Sequence, residues 1–217
     1  MRGLRRGLVG DGPSGMDGIA RLGYGMGPGK GPFDDPPEEA ADVKLNLIDG
    51  CCGSVAADPL EETDAEDLAE QVLASGCDLV VVSPGVAPHT PVFSRAREAG
   101  IPLWGEVELA WRLQEEGPRA SRPWLCVTET YGKTTTTGML GSILRAAGED
   151  AMEVGNIGTP ITRAIDSPAT VFAVELSSFQ LATTHTLSPE AAVCLNVDAD
   201  HLDWHGSVEA YAAAKAR

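Results

Sequence analysis

Val127-Thr128-Glu129-Thr130-Tyr131-Gly132-Lys133-Thr134-Thr135-Thr136-Thr137, VTETYGKTTTT, is the stretch on which the fold turns. The apolar residues before it, Trp124 to Thr128 (WLCVT), read as a strand, and Thr134 to Ala147 reads as the helix that follows. A loop joining strand to helix can hold phosphate, because the helix's first amides are unpaired and its dipole favours negative charge there. Gly132 lets backbone approach, Lys133 offers charge to the β and γ phosphates, and Thr134 can place its hydroxyl on Mg2+. The full GxxxxGK[ST] pattern needs glycine at position 127, where valine stands. On this stretch alone, a phosphate loop and a threonine-rich helix start are both open.

Downstream, Val174 to Leu181 (VELSSFQL) puts a carboxylate, Glu175, at the end of an apolar strand running from Thr170 to Leu176. A further strand, Ala191 to Val197, runs into Asn196-Val197-Asp198-Ala199-Asp200-His201-Leu202-Asp203-Trp204-His205-Gly206. Parallel neighbours would deliver these groups to the edge that carries the Gly-Lys-Thr loop, where oxygen ligands and an imidazole can hold Mg2+ around a nucleotide. A GNIGTP turn (155–160) lies between helix and strand, and a last helix begins near Ser207 and is still running at Arg217.

Upstream, strand Asp78 to Val82 (DLVVV) runs into Ser83-Pro84-Gly85. Around it lie a helix at Asp64 to Ser75, a helix at Val92 to Ala99, a strand at Ile101 to Trp104 and a helix from Glu106 to about Glu116. Such alternation implies parallel sheets covered on both faces. GPRASRP (117–123) reads as a linker between two α/β units. Residues 1 to 65 are rich in glycine and proline; within them Gly10 to Gly15 fits GxGxxG and Lys44 to Asp49 (KLNLID) reads as a short strand ending in an acid. The strand that should precede that GxGxxG is almost absent, so a loop is the competing reading.

The 217 residues carry 32 acidic and 16 basic side chains, a net charge of -16, which argues against a nucleic-acid partner. No run approaches the roughly eighteen apolar residues of a membrane span, and the basic start lacks the apolar stretch of a signal peptide. The five cysteines show no metal-type spacing and read as reduced, buried thiols of a cytoplasmic protein.

GKTTTT, GNIGTP, VELSSFQL, LNVDADHLDWHGS and YAAAK together resemble the Mur ligase family, and ELSSFQL resembles its D-glutamate-adding branch. The likeness is good over 78–217 and loose over the first 65 residues. It implies an N-terminal Rossmann-like, uridine-nucleotide-binding domain at 1–120. The first part of a P-loop-type α/β ATPase domain would follow at 121–217, with the family's C-terminal domain absent. The activity implied is ATP- and Mg2+-dependent joining of D-glutamate to UDP-N-acetylmuramoyl-L-alanine through an acyl phosphate, by a monomer.

Carried over by motif, Thr130, Gly132, Lys133, Thr134 and Thr135 would hold ATP. Thr134, Glu175 and His201 would serve the metal, and Asn156 and Ser177 would lie against the muramoyl substrate. Gly12, Ser14 and Ser83 would face the uridine diphosphate. Lys215 matches the lysine that the family carbamylates into a metal-binding carboxylate.

The family's loop resembles TGTNGKTT, whereas this chain has Glu129 for glycine and Tyr131 for asparagine. A carboxylate and a ring within the cradle are expected to weaken ATP binding by about 100-fold, ~2.7 kcal/mol. The shortened chain is expected not to turn over alone, and its unpaired sheet edge to lower stability. Two other readings remain: a non-catalytic nucleotide or nucleotide-sugar binding module, and another ligase of the Mur and folylpolyglutamate synthetase group.

Overall fold

The computed structural model describes residues 76–217 continuously, together with 19–21, 44–48, 69–70 and 74. The glycine-rich loop with Gly12 and Ser14, Cys51, Cys52 and most of the helix expected at 64–75 lie outside the described residues. Two four-stranded sheets organise the rest.

In the first sheet the order is β1 (Ile19–Arg21), β2 (Lys44–Ile48), β3 (Leu79–Val82), β4 (Leu103–Gly105). Strands β2, β3 and β4 pair in parallel, and β1 joins β2 antiparallel at the edge. The β-branched run of β3 is buried on both faces, as a central parallel strand should be. Helices α1 (Pro91–Glu98) and α2 (Glu106–Glu115) follow β3 and β4.

The second sheet is wholly parallel in the order β6 (Ala151–Gly155), β7 (Val171–Glu175), β5 (Trp124–Thr128), β8 (Ala191–Cys194). Helix α3 (Lys133–Ala146) packs on β5, β6 and β7. The short helices α4 (Ile161–Ala164), α5 (Ser178–Ala182) and α6 (Leu202–His205), then α7 (Val208–Lys215), complete the order. The last helix ends at Lys215, and the Arg217 guanidinium returns to the carbonyls of Ala182 and Thr184 at 2.9 and 3.1 Å.

The core of the second sheet recruits a helix from the first unit: Val107, Ala110 and Trp111 of α2 pack with Trp124, Phe172, Val174, Ile161 and Leu181. Trp124 is fully buried, edge-on to Trp111 at 5.1 Å, and its indole N–H donates to Gln114 at 2.9 Å. Residues 117–123 are correspondingly not a loose linker. Arg122 is buried over the Phe172 ring and donates to the carbonyls of Ile165 and Ser167 at 3.0 and 2.8 Å.

Two glutamates of α2 bolt the units together. Glu106 accepts the amide of Thr162 at 2.7 Å, and Glu108 accepts the amides of His185 and Thr186 and the Thr186 hydroxyl at 2.6 to 2.9 Å.

Among the described residues strand β8 is one of the two edges of this sheet, and Val193 within it, with Leu195 and Val197 just beyond, exposes apolar side chains at alternate positions. This matches the expected unpaired edge. It also leaves Cys194 exposed, whereas Cys77 and Cys126 are buried as expected and burial pushes the Cys126 thiol up to about 12. No helix of the described residues is long and apolar enough to cross a membrane.

Candidate functional site

In a parallel sheet every strand ends on the same side, so the loops after β5, β6, β7 and β8 converge there. The loop after β5 is the Gly-Lys-Thr loop. Gly132 stands just before α3 with φ 108°, a left-handed conformation that a side chain would strain, and no side chain caps the helix. Thr134 and Thr135 are exposed in its first turn.

Two lysines meet beneath this loop. Lys133 donates to the Glu129 carbonyl at 2.8 Å and to the Thr130 carbonyl at 3.3 Å. Lys215, from α7, donates to the same Glu129 carbonyl at 2.8 Å and to the Thr128 hydroxyl at 3.3 Å. Among the described residues neither ammonium has a carboxylate within ion-pair distance. Lys215 is buried against the Tyr211 ring, and burial first, then the charge of Lys133, pushes its pKa down to about 8. Thr130 is buried too, its hydroxyl paired with the Tyr211 hydroxyl at 2.8 Å and accepting the Asp198 amide at 3.0 Å.

Glu175 ends β7 fully buried. Asn156 donates to its Oε1 at 2.8 Å, while its Oε2 has no hydrogen-bond partner. A buried carboxylate oxygen left unpaired is costly, and together with the Thr134 hydroxyl it suits Mg2+, which takes one or two protein oxygens and leaves its other positions to phosphate and water. Asn156 reaches Glu175 because Gly155 turns the chain with φ 106° directly over β7, where an added Cβ would sit 2.3 Å from the Glu175 carbonyl oxygen. Gly155→Ala is therefore expected to destabilise the fold by about 3 kcal/mol, since backbone must move. Urea denaturation checks it, and an unchanged midpoint would show that the turn relaxes freely.

The remaining expected residues have partners of their own. His201 adopts φ 51°, lies 3.5 Å from Asp200 and faces the Phe179 ring at 4.6 Å. Among the described residues no three His, Cys, Asp or Glu side chains form a ready metal cage. Ser177 caps α5, accepting the Gln180 amide at 3.2 Å in a reciprocal capping box. Ser83 directly follows β3 in the first unit, its carbonyl accepting the Val86 amide at 3.1 Å.

Sequence reasoning overlooked Asn196. Its Oδ1 accepts the amides of both Thr130 and Tyr131 at 3.1 Å, and its Nδ2 donates to the Tyr131 carbonyl at 3.0 Å and to Glu129 Oε2 at 3.2 Å. Its place at the end of a strand beside the loop was the available signal, since a carboxamide offers two donors and an acceptor to neighbouring backbone.

A lysine-bearing strand-to-helix loop, a second buried lysine and an orphaned carboxylate thus meet at the same sheet edge, an arrangement suited to a phosphate. The family model "Mur ligase middle domain" matches residues 127–217, so this stretch carries a Mur ligase middle domain. Three of the relatives the chain matches carry the name UDP-N-acetylmuramoylalanine--D-glutamate ligase. The protein of Mycolicibacterium vanbaalenii is 57% identical over 177 residues, 81% of this chain and 37% of that relative. That of Frankia casuarinae is 59% identical over 140 residues, 64% of this chain and 29% of its own length. That of Mycobacterium tuberculosis is 50% identical over 159 residues, 73% and 32% respectively. The chain thus spans about a third of the length of these curated relatives.

Proposed function

We propose that this chain carries the first part of the ATP site of a ligase that joins D-glutamate to UDP-N-acetylmuramoyl-L-alanine. The observation that carries the reading is the convergence of Lys133 and Lys215 on one loop at the strand edge that also bears the unpaired oxygen of Glu175.

A carboxylate is a poor electrophile. Transfer of the γ-phosphoryl group of ATP to the substrate's carboxylate oxygen releases ADP and creates a good leaving group. The amine of D-glutamate then forms the amide bond, loses its proton and expels phosphate. Such a sequence asks the protein mainly for positioning and charge neutralisation. In this reading Lys133 neutralises the transferring phosphoryl group, Gly132 admits it, and Thr130 and Thr135 line the loop. Thr134 and Glu175 would hold Mg2+, which supplies charge neutralisation between phosphates, with His201 turning from Asp200 to join them. Asn156 fixes the Glu175 carboxylate and, with Ser177, would face the muramoyl group, while Ser83 at 1–120 would face the uridine diphosphate. The lowered pKa of Lys215 supports a neutral amine able to take up carbon dioxide as a carbamate.

A chimera tests this. Residues 124–217 of this chain replace the matching segment of the Mycolicibacterium vanbaalenii relative, and phosphate release is followed at saturating ATP. Release that depends on D-glutamate is the expected result. Release with L-alanine, a diamino acid or folate instead would favour another ligase of the group, and substrate binding with no release would favour a binding module.

A further inference from the structure

Glu129 stands where a phosphate loop should be empty. Its side chain is 1% exposed. Oε1 has no hydrogen-bond partner and lies 2.8 Å from where a Cβ on Gly132 would be, so the carboxylate reaches across the loop toward the uncapped start of α3. Oε2 accepts from Asn196 Nδ2 at 3.2 Å. The backbone of the same residue is pinned, because Lys133 and Lys215 both hold its carbonyl. A short loop built to wrap an anion thus wraps the carboxylate of its own first residue, in the field of a helix N-terminus and two ammonium groups.

We propose that the Glu129 carboxylate occupies the phosphate seat of its own loop, so that a nucleotide's phosphate enters only when that side chain leaves. The proposal rests on the reading of this loop as an ATP site and adds an internal competitor to it. Asn196 is the latch: its carboxamide ties the carboxylate to the same network that fixes the amides of Thr130 and Tyr131. Displacement requires only rotation of the side chain, since the two lysines grip the carbonyl and not the carboxylate. Exchange of one anion for another, rather than filling of an empty cradle, lowers nucleotide affinity by whatever free energy the resident carboxylate gains from its seat.

Calorimetric titration of the chain and its Glu129→Gly and Glu129→Gln variants, with Mg-ATP and separately with tripolyphosphate, decides the matter. Glu129→Gly is expected to bind both at least about 100-fold more tightly, ~2.7 kcal/mol. Glu129→Gln, which keeps the volume and the bond from Asn196 but removes the charge, is expected to fall between. If Glu129→Gly does not fold, tighter binding by the glutamine variant alone carries the proposal. Equal affinity of variants and parent chain overturns the plug and leaves the ATP site standing. Failure of every folded variant to bind either probe overturns both.

Discussion

Lys133→Ala, placed in a chain already carrying Glu129→Gly, is expected to lose Mg-ATP affinity by at least about 100-fold, ~2.7 kcal/mol. The side chain starts the helix from within the loop and donates to two loop carbonyls, Glu129 and Thr130. Its ammonium has no carboxylate partner among the described residues, so its charge is not spent on the protein. Phosphate would exchange two neutral acceptors for charged oxygens, and charge-assisted hydrogen bonds are roughly twice as strong as neutral ones. Arginine is not an equivalent replacement, because its planar fork cannot sit where a compact ammonium sits. Because Lys133 is half-buried at a surface loop, stability should change by less than about 1 kcal/mol. Titration calorimetry together with urea denaturation separates the two effects. A variant that binds as tightly as its parent would remove Lys133 from the site.

Glu108→Ala should act through the fold instead, lowering stability by about 4 kcal/mol. The carboxylate is fully buried on α2 and holds two amides and a hydroxyl of the 185–186 turn, with Arg112 at 2.6 Å completing its shell. Burial alone would raise its pKa. The Thr186 hydroxyl, the two amides and Arg112 outweigh burial and hold it at about 2, below the ordinary 4.5. With the folded pKa depressed, the stabilisation is complete above about pH 4.5 and is lost as pH falls toward 2. Urea midpoints between pH 7 and pH 3 check both statements. The parent chain should lose stability across that window and the alanine variant should lose less of it. Equal slopes would mean that other carboxylates carry the acid sensitivity. Glu108→Gln keeps one acceptor and should cost about half as much.

Glu108 also marks a limit of reading sequence. Periodicity located α2, but a glutamate on an amphipathic helix ordinarily faces water, and only the tertiary fold puts the 185–186 amides over it. Strands β3, β5 and β7 were legible because they are short apolar runs bounded by turn residues, which buried parallel strands produce. Strand β6 was not, since Met152 and Glu153 interrupt its apolar pattern at the edge of the sheet. The expected strand at 191–197 is shorter in the fold, ending at Cys194, because Asn196 leaves the ladder to hold the neighbouring loop.

The chemistry was legible to a similar degree. Lys133 and Glu175 follow the parallel neighbours β5 and β7 to one sheet edge, as that topology requires, and Lys215, expected only from the resemblance, reaches the same loop from α7. His201, expected to join them at the metal, takes a positive φ at the head of α6 and packs against Phe179. Glu129 was recognised as a misfit from its charge alone. What the sequence could not express is that the misfit is buried inside the loop, since burial of a carboxylate depends on Gly132 and Asn196 closing around it.

The central claim is that the loop from Thr128 to Thr135 is a nucleotide phosphate site now closed by its own glutamate. Its most direct test is a crystal structure of the Glu129→Gly variant grown with Mg2+ and a non-hydrolysable ATP analogue. The account predicts the terminal phosphates within about 3 Å of Lys133 Nζ and of the first amides of α3, with the space of the lost carboxylate filled by phosphate oxygen. An analogue bound elsewhere on the chain, with this loop unchanged, would contradict it.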